Sequence, residues 1–428
     1  MALKVLEKDG FYGYVNLGVL FIFNIASTLS MTTFMMFLPF WVDEFSWDRG
    51  ALSGAQSVAM IITGLTAPVV GVLIMKFGAK KNIIIGNILA IAGILSLSFM
   101  SDMWQLYVGF GIFVGIGFSL GGMLSMMTIL NNWFVVKRTM ALSIALASAG
   151  LGGIVIMPLL MHLITTMGWR FTYRIIAATI FICCVAIPGI FLKNKPADLG
   201  QVPDGPASEN TRAPEQGGAT SSKHYKTPVD FTVKEALKTP AFWLIVGYAA
   251  FMLLGLQVLM IHQVAFLLDI GITPGMAAMA GGLMSAVMTV SQVGVGFLGL
   301  RFNIHSLAVL SVLSVMAGYI LLLFAKSLPL VIVYNILMGA GFGIQMLALG
   351  TLIPNYFGMK EFPKIMGFAI PIGTFIGAAG GPGAGIIREM TGSYLPAFQI
   401  SLGVIVVAFF FIIFAKPSVH HSLIEVKN

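Results

Sequence analysis

The chain has 428 residues, of which 58% are hydrophobic and only 9% charged, and its mean hydropathy is +0.96. Soluble domains carry about 25% charged residues, so this composition excludes a water-soluble globular protein and identifies an integral membrane protein. Two cysteines, adjacent at Cys183 and Cys184 inside an apolar run, exclude a disulfide framework and a cysteine metal site.

The opening residues, MALKVLEKDGFY, mix charges of both signs and precede an apolar run too long for a signal-peptide core, so no cleaved leader is expected. Apolar runs then follow at Val15 to Pro39, Leu52 to Met75, Ile83 to Met100, Leu106 to Leu130, Met140 to Met167 and Thr172 to Leu192. They resume at Phe242 to Leu268, Met276 to Leu300, Leu307 to Phe324, Leu328 to Leu352, Ile365 to Ile387 and Leu395 to Ala415. A helix of about 20 apolar residues spans a hydrocarbon layer roughly 30 Å thick. The pattern therefore predicts an all-α membrane protein of twelve transmembrane helices: an N-terminal six-helix half (1–192), a linker (193–240) and a C-terminal six-helix half (241–428).

With the N-terminus inside, nineteen of the 24 Lys and Arg fall on the cytoplasmic side. By the positive-inside rule both termini are expected there, in a plasma membrane of the bacterial inner-membrane kind. The net charge of +8 is thereby topogenic, and no nucleic-acid partner is expected. The linker contains DGPASENTRAPEQGGATSSKHYK, too polar to bury a core of its own. Its end, DFTVKEALKTP, places helix formers behind an acidic start and predicts a short surface helix before helix seven.

The stretch from Gly109 to Arg170 forms a hairpin of helices four and five around Lys137 and Arg138. Gly111, Gly115, Ser119 and Gly122 line one face of helix four, and Ala141, Ala145, Ala149 and Gly153 step by four along helix five. Small residues let membrane helices approach closely, so both helices are expected to pack tightly on neighbours. Gly115, Gly117, Phe118, Asn131, Gly153 and Pro158 reappear 224 positions later as Gly339, Gly341, Phe342, Asn355, Gly377 and Pro382. Gly71, Leu73, Lys76 and Phe77 meet Gly296, Leu298, Arg301 and Phe302 at an offset of 225. The hairpin and the loop after helix two thus each occur twice, and the two halves are repeats.

Twelve helices in two repeated halves resemble the major facilitator superfamily. The loop GVLIMKFGAKK, Gly71 to Lys81, is similar to that superfamily's G-x-L-x-D-R-x-G-R-K signature through Gly71, Leu73, Lys76 and Gly78, with Met75 in the acidic position. WFVVKRTMALSIALASAGLG, Trp133 to Gly152, resembles the pattern of the monocarboxylate transporters and oxalate/formate exchangers, and DGFYGY, Asp9 to Tyr14, partly resembles the monocarboxylate N-terminal signature. The resemblance implies alternating access, with Gly71, Lys76, Gly78, Lys137 and Arg138 in loop motifs. It also implies a carboxylate-pairing arginine on helix eight, where this chain has Gln292.

Polar groups inside a membrane helix are costly and face the bundle interior, which makes them functional candidates. Helix one offers Asn24 and Thr28, helix two Gln56, helix seven His262, helix ten Gln345, and helix eight Ser285, Thr289 and Gln292 on one face. For Ser and Thr the competing role is a bond back to the preceding turn of their own helix. Met31 and Met35 read as core filler. His262 is the proton-coupling candidate, because histidine's unperturbed pKa of about 6.5 lies near neutrality; helix seven is expected to unwind close to it. Pro158, Pro371 and Pro382 predict bends in helices five and eleven, candidates for gating.

These features predict a secondary transporter of a small organic solute, a monocarboxylate with a proton, functional as a monomer in the lipid bilayer. The alternatives are a carrier or exporter of a neutral or amphipathic compound, and a membrane sensor without turnover. The sequence has no phosphate-binding loop, metal-ligand cluster or activated nucleophile, so neither an enzyme nor a cofactor is expected.

Overall fold

The computed structural model describes residues 10–204 and 227–417. Asp9 of the DGFYGY motif and the middle of the linker lie outside them. The chain divides into two compact units, one of residues 1–220 with 366–368 and the other of 221–365 with 369–428. No strand occurs among the described residues.

In the first unit the long helices are α1 (Gly13–Phe45), α2 (Arg49–Phe77), α3 (Ala79–Leu97), α4 (Met103–Trp133), α5 (Arg138–Met167) and α6 (Trp169–Phe191). The second contains α7 (Pro240–Asp269), α8 (Pro274–Leu298), α9 (Ile304–Leu323), α10 (Leu328–Phe357), α11 (Phe362–Thr391) and α12 (Leu395–Phe414), preceded by a short helix at Val233–Lys238. Among the described residues, eleven of the twelve are long and apolar enough to cross a membrane. The fold is an all-α membrane protein of two pseudo-symmetric six-helix halves.

Local chemistry sets the helix ends. Asp48 caps α2 by accepting from the Ala51 N–H, and Thr232 and Glu235 form a reciprocal capping box on the short helix. Proline occupies the first turn of α7, α8, α10, α11 and α12, where no N–H acceptor would be available anyway.

Glycine governs the packing inside each half. A Cβ on Gly115 would lie 3.0 Å from the Ala59 carbonyl of α2, and one on Gly117 would lie 2.6 Å from the Gly86 carbonyl of α3. In the second half a Cβ on Gly339 would lie 2.6 Å from the Met284 carbonyl of α8, and one on Gly341 2.6 Å from the Ser311 carbonyl of α9. The repeated glycines thus perform the same helix crossings twice. Side chains reinforce them: Thr63 donates to the Gly115 carbonyl at 3.0 Å and Ser291 to the Ala340 carbonyl at 2.8 Å. Close backbone approach of this kind substitutes for a hydrophobic drive that lipid removes.

The two hairpins also differ. Helix α4 has a π-helical stretch at Tyr107–Val114 and breaks at Gly122, whereas α10 is continuous. The position equivalent to Gly122 is Met346, a good helix former. Helix α11 breaks at Ala379, between Phe362–Ala378 and Gly380–Thr391, with Pro371 in the first segment and Pro382 in the first turn of the second. Pro158 lies on the α5 backbone, which runs through it as helix. Contrary to expectation, α7 does not unwind near His262 but continues to Asp269, because no Gly or Pro interrupts it there.

Cys184 is buried with its Sγ 3.6 Å from the Phe23 carbonyl, and Cys183 is half-buried beside it. Both are packing residues.

The Gly341 crossing gives a stability prediction. Gly341→Val should lower stability by about 1–3 kcal/mol through overpacking against Ser311 and Val315. Gly281→Ala, whose added Cβ meets nothing within 4 Å, should leave it unchanged or raise it by up to about 1 kcal/mol through helix propensity. Thermal melts of both variants in detergent check the difference.

Candidate functional site

The loop motifs are held by side-chain bonds to backbone. Between α2 and α3, Gly78 adopts φ +86°, and a Cβ there would meet the Asn194 amide at 2.9 Å. Asn194 in turn accepts from the Lys80 N–H at 2.9 Å. Gly71 is buried, while Lys76 is exposed and lies over the Phe77 ring at 5.2 Å. Lys137 donates to the Tyr14 hydroxyl at 2.9 Å, and Arg138, only 4% exposed, starts α5. Tyr12 is also buried and donates to the Phe191 carbonyl, so the described part of the DGFYGY motif ties the start of α1 to the end of α6.

The polar candidates on the helices separate into two kinds. Asn24 donates to the Ala145 carbonyl at 2.9 Å and the Ser148 hydroxyl at 3.0 Å, binding α1 to α5. Thr28, Ser285 and Thr289 donate back to carbonyls of their own helices. These four groups spend hydrogen-bonding capacity on structure.

The second kind comprises three glutamine amides and His262. Gln292 is buried at 7% exposure and Gln56 is half-buried on α2. Gln345 is 6% exposed, and its Oε1 has no hydrogen-bond partner among the described residues. A buried acceptor left unpaired costs about 1–3 kcal/mol, which makes Gln345 a candidate for contact with a polar ligand. His262 lies on α7 with Nε2 2.8 Å from the Gly381 carbonyl and its ring 5.1 Å from that of Tyr394. A carbonyl only accepts, so Nε2 carries the hydrogen and Nδ1 is the acceptor nitrogen of the neutral ring.

Three arrangements escaped the sequence reading. Gln263, beside His262, donates to the Tyr334 hydroxyl at 3.1 Å and to Asn335 Oδ1 at 2.5 Å, a buried link from α7 to α10. Asp204 accepts the backbone N–H groups of Val135, Val136 and Lys137. Asp230 accepts those of Met359 and Lys360. An amide next to a histidine was a visible signal for the first; nothing local marks the two aspartates, whose partners are distant in sequence.

Residues 20–382 match the Major Facilitator Superfamily. The chain belongs to this superfamily. Its relatives include human monocarboxylate transporter 2, 24% identical with 94% of this chain and 84% of the relative covered. Rat monocarboxylate transporter 12 is 21% identical, with 92% and 83% covered. Among solved structures, the superfamily transporter FucP in the outward conformation aligns with a TM-score of 0.72 at 16% identity, covering 95% of this chain and all of that one. The proton:xylose symporter XylE aligns with a TM-score of 0.71 at 14% identity, covering 95% of each chain. Members of the superfamily are transporters, and the helix breaks and polar faces of this chain lie within the matched region.

Removing the α1–α5 link tests the division between the two kinds of polar group. Asn24→Ala should cost about 0.6–2 kcal/mol of stability, the range for interhelical hydrogen bonds in membranes. Gln345→Leu should cost nothing or stabilise, since it removes an unpaired buried acceptor. Thermal unfolding of the two variants in one detergent decides.

Proposed function

We propose that this protein is a secondary active transporter that carries a small monocarboxylate together with a proton by alternating access of its two halves. The observation that carries the reading is His262, whose Nε2 donates to the Gly381 carbonyl beside the break of α11 and whose Nδ1 is therefore the ring's acceptor nitrogen. Protonated, this ring supplies the positive charge that an anion requires where the family resemblance places an arginine and this chain has Gln292. Proton and anion would then occupy the protein together, which couples their movement.

Relatives named monocarboxylate transporters over 94% of the chain support the cargo class. Structures titled as proton symporters among the similar folds support the coupling ion. Within the second half, Gln345 and Gln292 would offer uncharged contacts to the remainder of the cargo. The distribution of Lys and Arg supports an inner-membrane location with both termini cytoplasmic. A neutral cargo is the competing reading, favoured by the amide at position 292.

Uptake of labelled lactate into proteoliposomes under an inward proton gradient tests the proposal. Accumulation is expected in the unsubstituted protein, and His262→Gln should reduce it to the level of protein-free vesicles. Flux of a neutral compound but of no short acid would overturn the carboxylate reading, and gradient-driven uptake unchanged in His262→Gln would overturn the role of the histidine.

A further inference from the structure

The loops after α4 and α10 are related by the internal repeat, and each is clasped by an aspartate. Asp204 donates its N–H to the Trp133 carbonyl at 3.0 Å. Its Oδ2 accepts from Val135 at 2.9 Å and Val136 at 2.8 Å, and its Oδ1 accepts from Lys137 at 3.1 Å. In the second half the Phe231 N–H donates to the Phe357 carbonyl at 2.9 Å. Asp230 Oδ1 there accepts from Met359 at 2.8 Å and Lys360 at 3.2 Å. Positions 133, 135 and 136 plus 224 are 357, 359 and 360. The helices that follow start at Arg138 and Phe362, also 224 apart.

The acids themselves are not repeats. Asp204 and Asp230 lie 26 positions apart at opposite ends of one linker, in the unlike settings PDG and VDF. Nor are the loop backbones the same, since Phe134 is extended at φ −120° while Gly358 is at φ +83°. Duplication alone therefore accounts for the loops but not for a carboxylate on each. What the two halves share is the need: N–H groups leading into a helix lack intrahelical acceptors, and the helix dipole favours a negative charge beside them.

We propose that Asp204 and Asp230 are positioning residues of the transport cycle, equivalent carboxylate clasps by which the two ends of the linker fix the starts of α5 and α11. These are the helices that contain Pro158 and the break at Ala379, so each is held at its start, ahead of those positions. The inference rests on reading α5 and α11 as moving helices of a transporter, and it is independent of the cargo. Asn in place of Asp204 keeps the shape but replaces one of two accepting oxygens with a donor aimed at an N–H group, whereas in place of Asp230, whose Oδ1 alone accepts, it removes the charge and keeps an accepting oxygen. Glu keeps the charge.

Hydrogen–deuterium exchange on the purified full chain, with a thermal melt of each variant, tests this. Asp204→Asn should raise exchange about tenfold at residues 135–141 and leave residues 359–365 unchanged, as expected for loss of charge-assisted bonds. Asp230→Asn should do the reverse. Asp204→Glu and Asp230→Glu should recover most of the protection, which a role of shape alone would not show. In proteoliposomes the Asn variants should lower the maximal rate of lactate uptake at unchanged KM. Unchanged exchange at the clasped loop would overturn the proposal, as would a rise spread over all helices with a lower melting temperature. Should Asp204→Asn not fold, Asp230→Asn and the two Glu variants carry the same test. Absence of lactate uptake by the unsubstituted protein would count against the carboxylate cargo alone, and the exchange measurements would still decide on the clasps.

Discussion

Contact of backbone with backbone over glycine is the constraint on which each half of this protein depends. In a bilayer the side chains of two helices gain no more from each other than from lipid, so helix pairs are held by fit and by bonds that lipid cannot offer. Gly115 and Gly117 meet this requirement on adjacent faces of α4, one against α2 and the other against α3. Gly339 and Gly341 do the same for α10 against α8 and α9. A methyl group at any of the four would push against main chain, which has nowhere to retreat. That is a strong reason for the spacing to persist through the repeat while much of the surrounding sequence has diverged.

This explains which parts of the molecule were legible in the sequence. The number of helices follows from run length, because a fixed hydrocarbon thickness imposes a fixed helix length. The repeat was visible because glycines at close crossings cannot be exchanged, so the positions that define the architecture are those that still match at 224. The break of α4 at Gly122 was not legible, since a glycine in a stripe of glycines looks like every other packing residue. Only comparison with Met346 in the unbroken α10 explains it. The uninterrupted course of α7 past His262 was misjudged for a related reason: a polar residue near the end of an apolar run resembles a boundary, although α7 continues for seven residues beyond it.

Candidate site residues were easier to nominate than to sort. The sequence places Asn24, Thr28, Ser285, Thr289, Gln292 and Gln345 in apolar helices, and burial makes each costly unless bonded. Which of them is already bonded depends on neighbours from other helices or on the rotamer, and neither is written locally. Asn24 is consumed by Ala145 and Ser148, and the three hydroxyls by their own helices. Asp204 and Asp230 show the converse failure. They sit in a polar linker where acids are unremarkable, and their importance comes entirely from backbone N–H groups that are distant in sequence.

Taken together, these assignments narrow what a cargo can meet. Among the described residues no charged side chain lies in the middle of the helices that supply the candidates, whose polar groups there are amides, hydroxyls and one half-buried imidazole. An anion held only by amides would lose its hydration without gaining a countercharge, which is strongly unfavourable in a low-dielectric interior. A neutral imidazole offers it no more. On the proposed reading an anion would need the cationic form of His262 as its partner, which a neutral molecule would not. On that reading the charges of cargo and ring would be paired in the loaded protein, and an electrically balanced protein can change conformation across a membrane at low cost. Under the proposed function, proton coupling would then follow from this set of side chains rather than be an additional property.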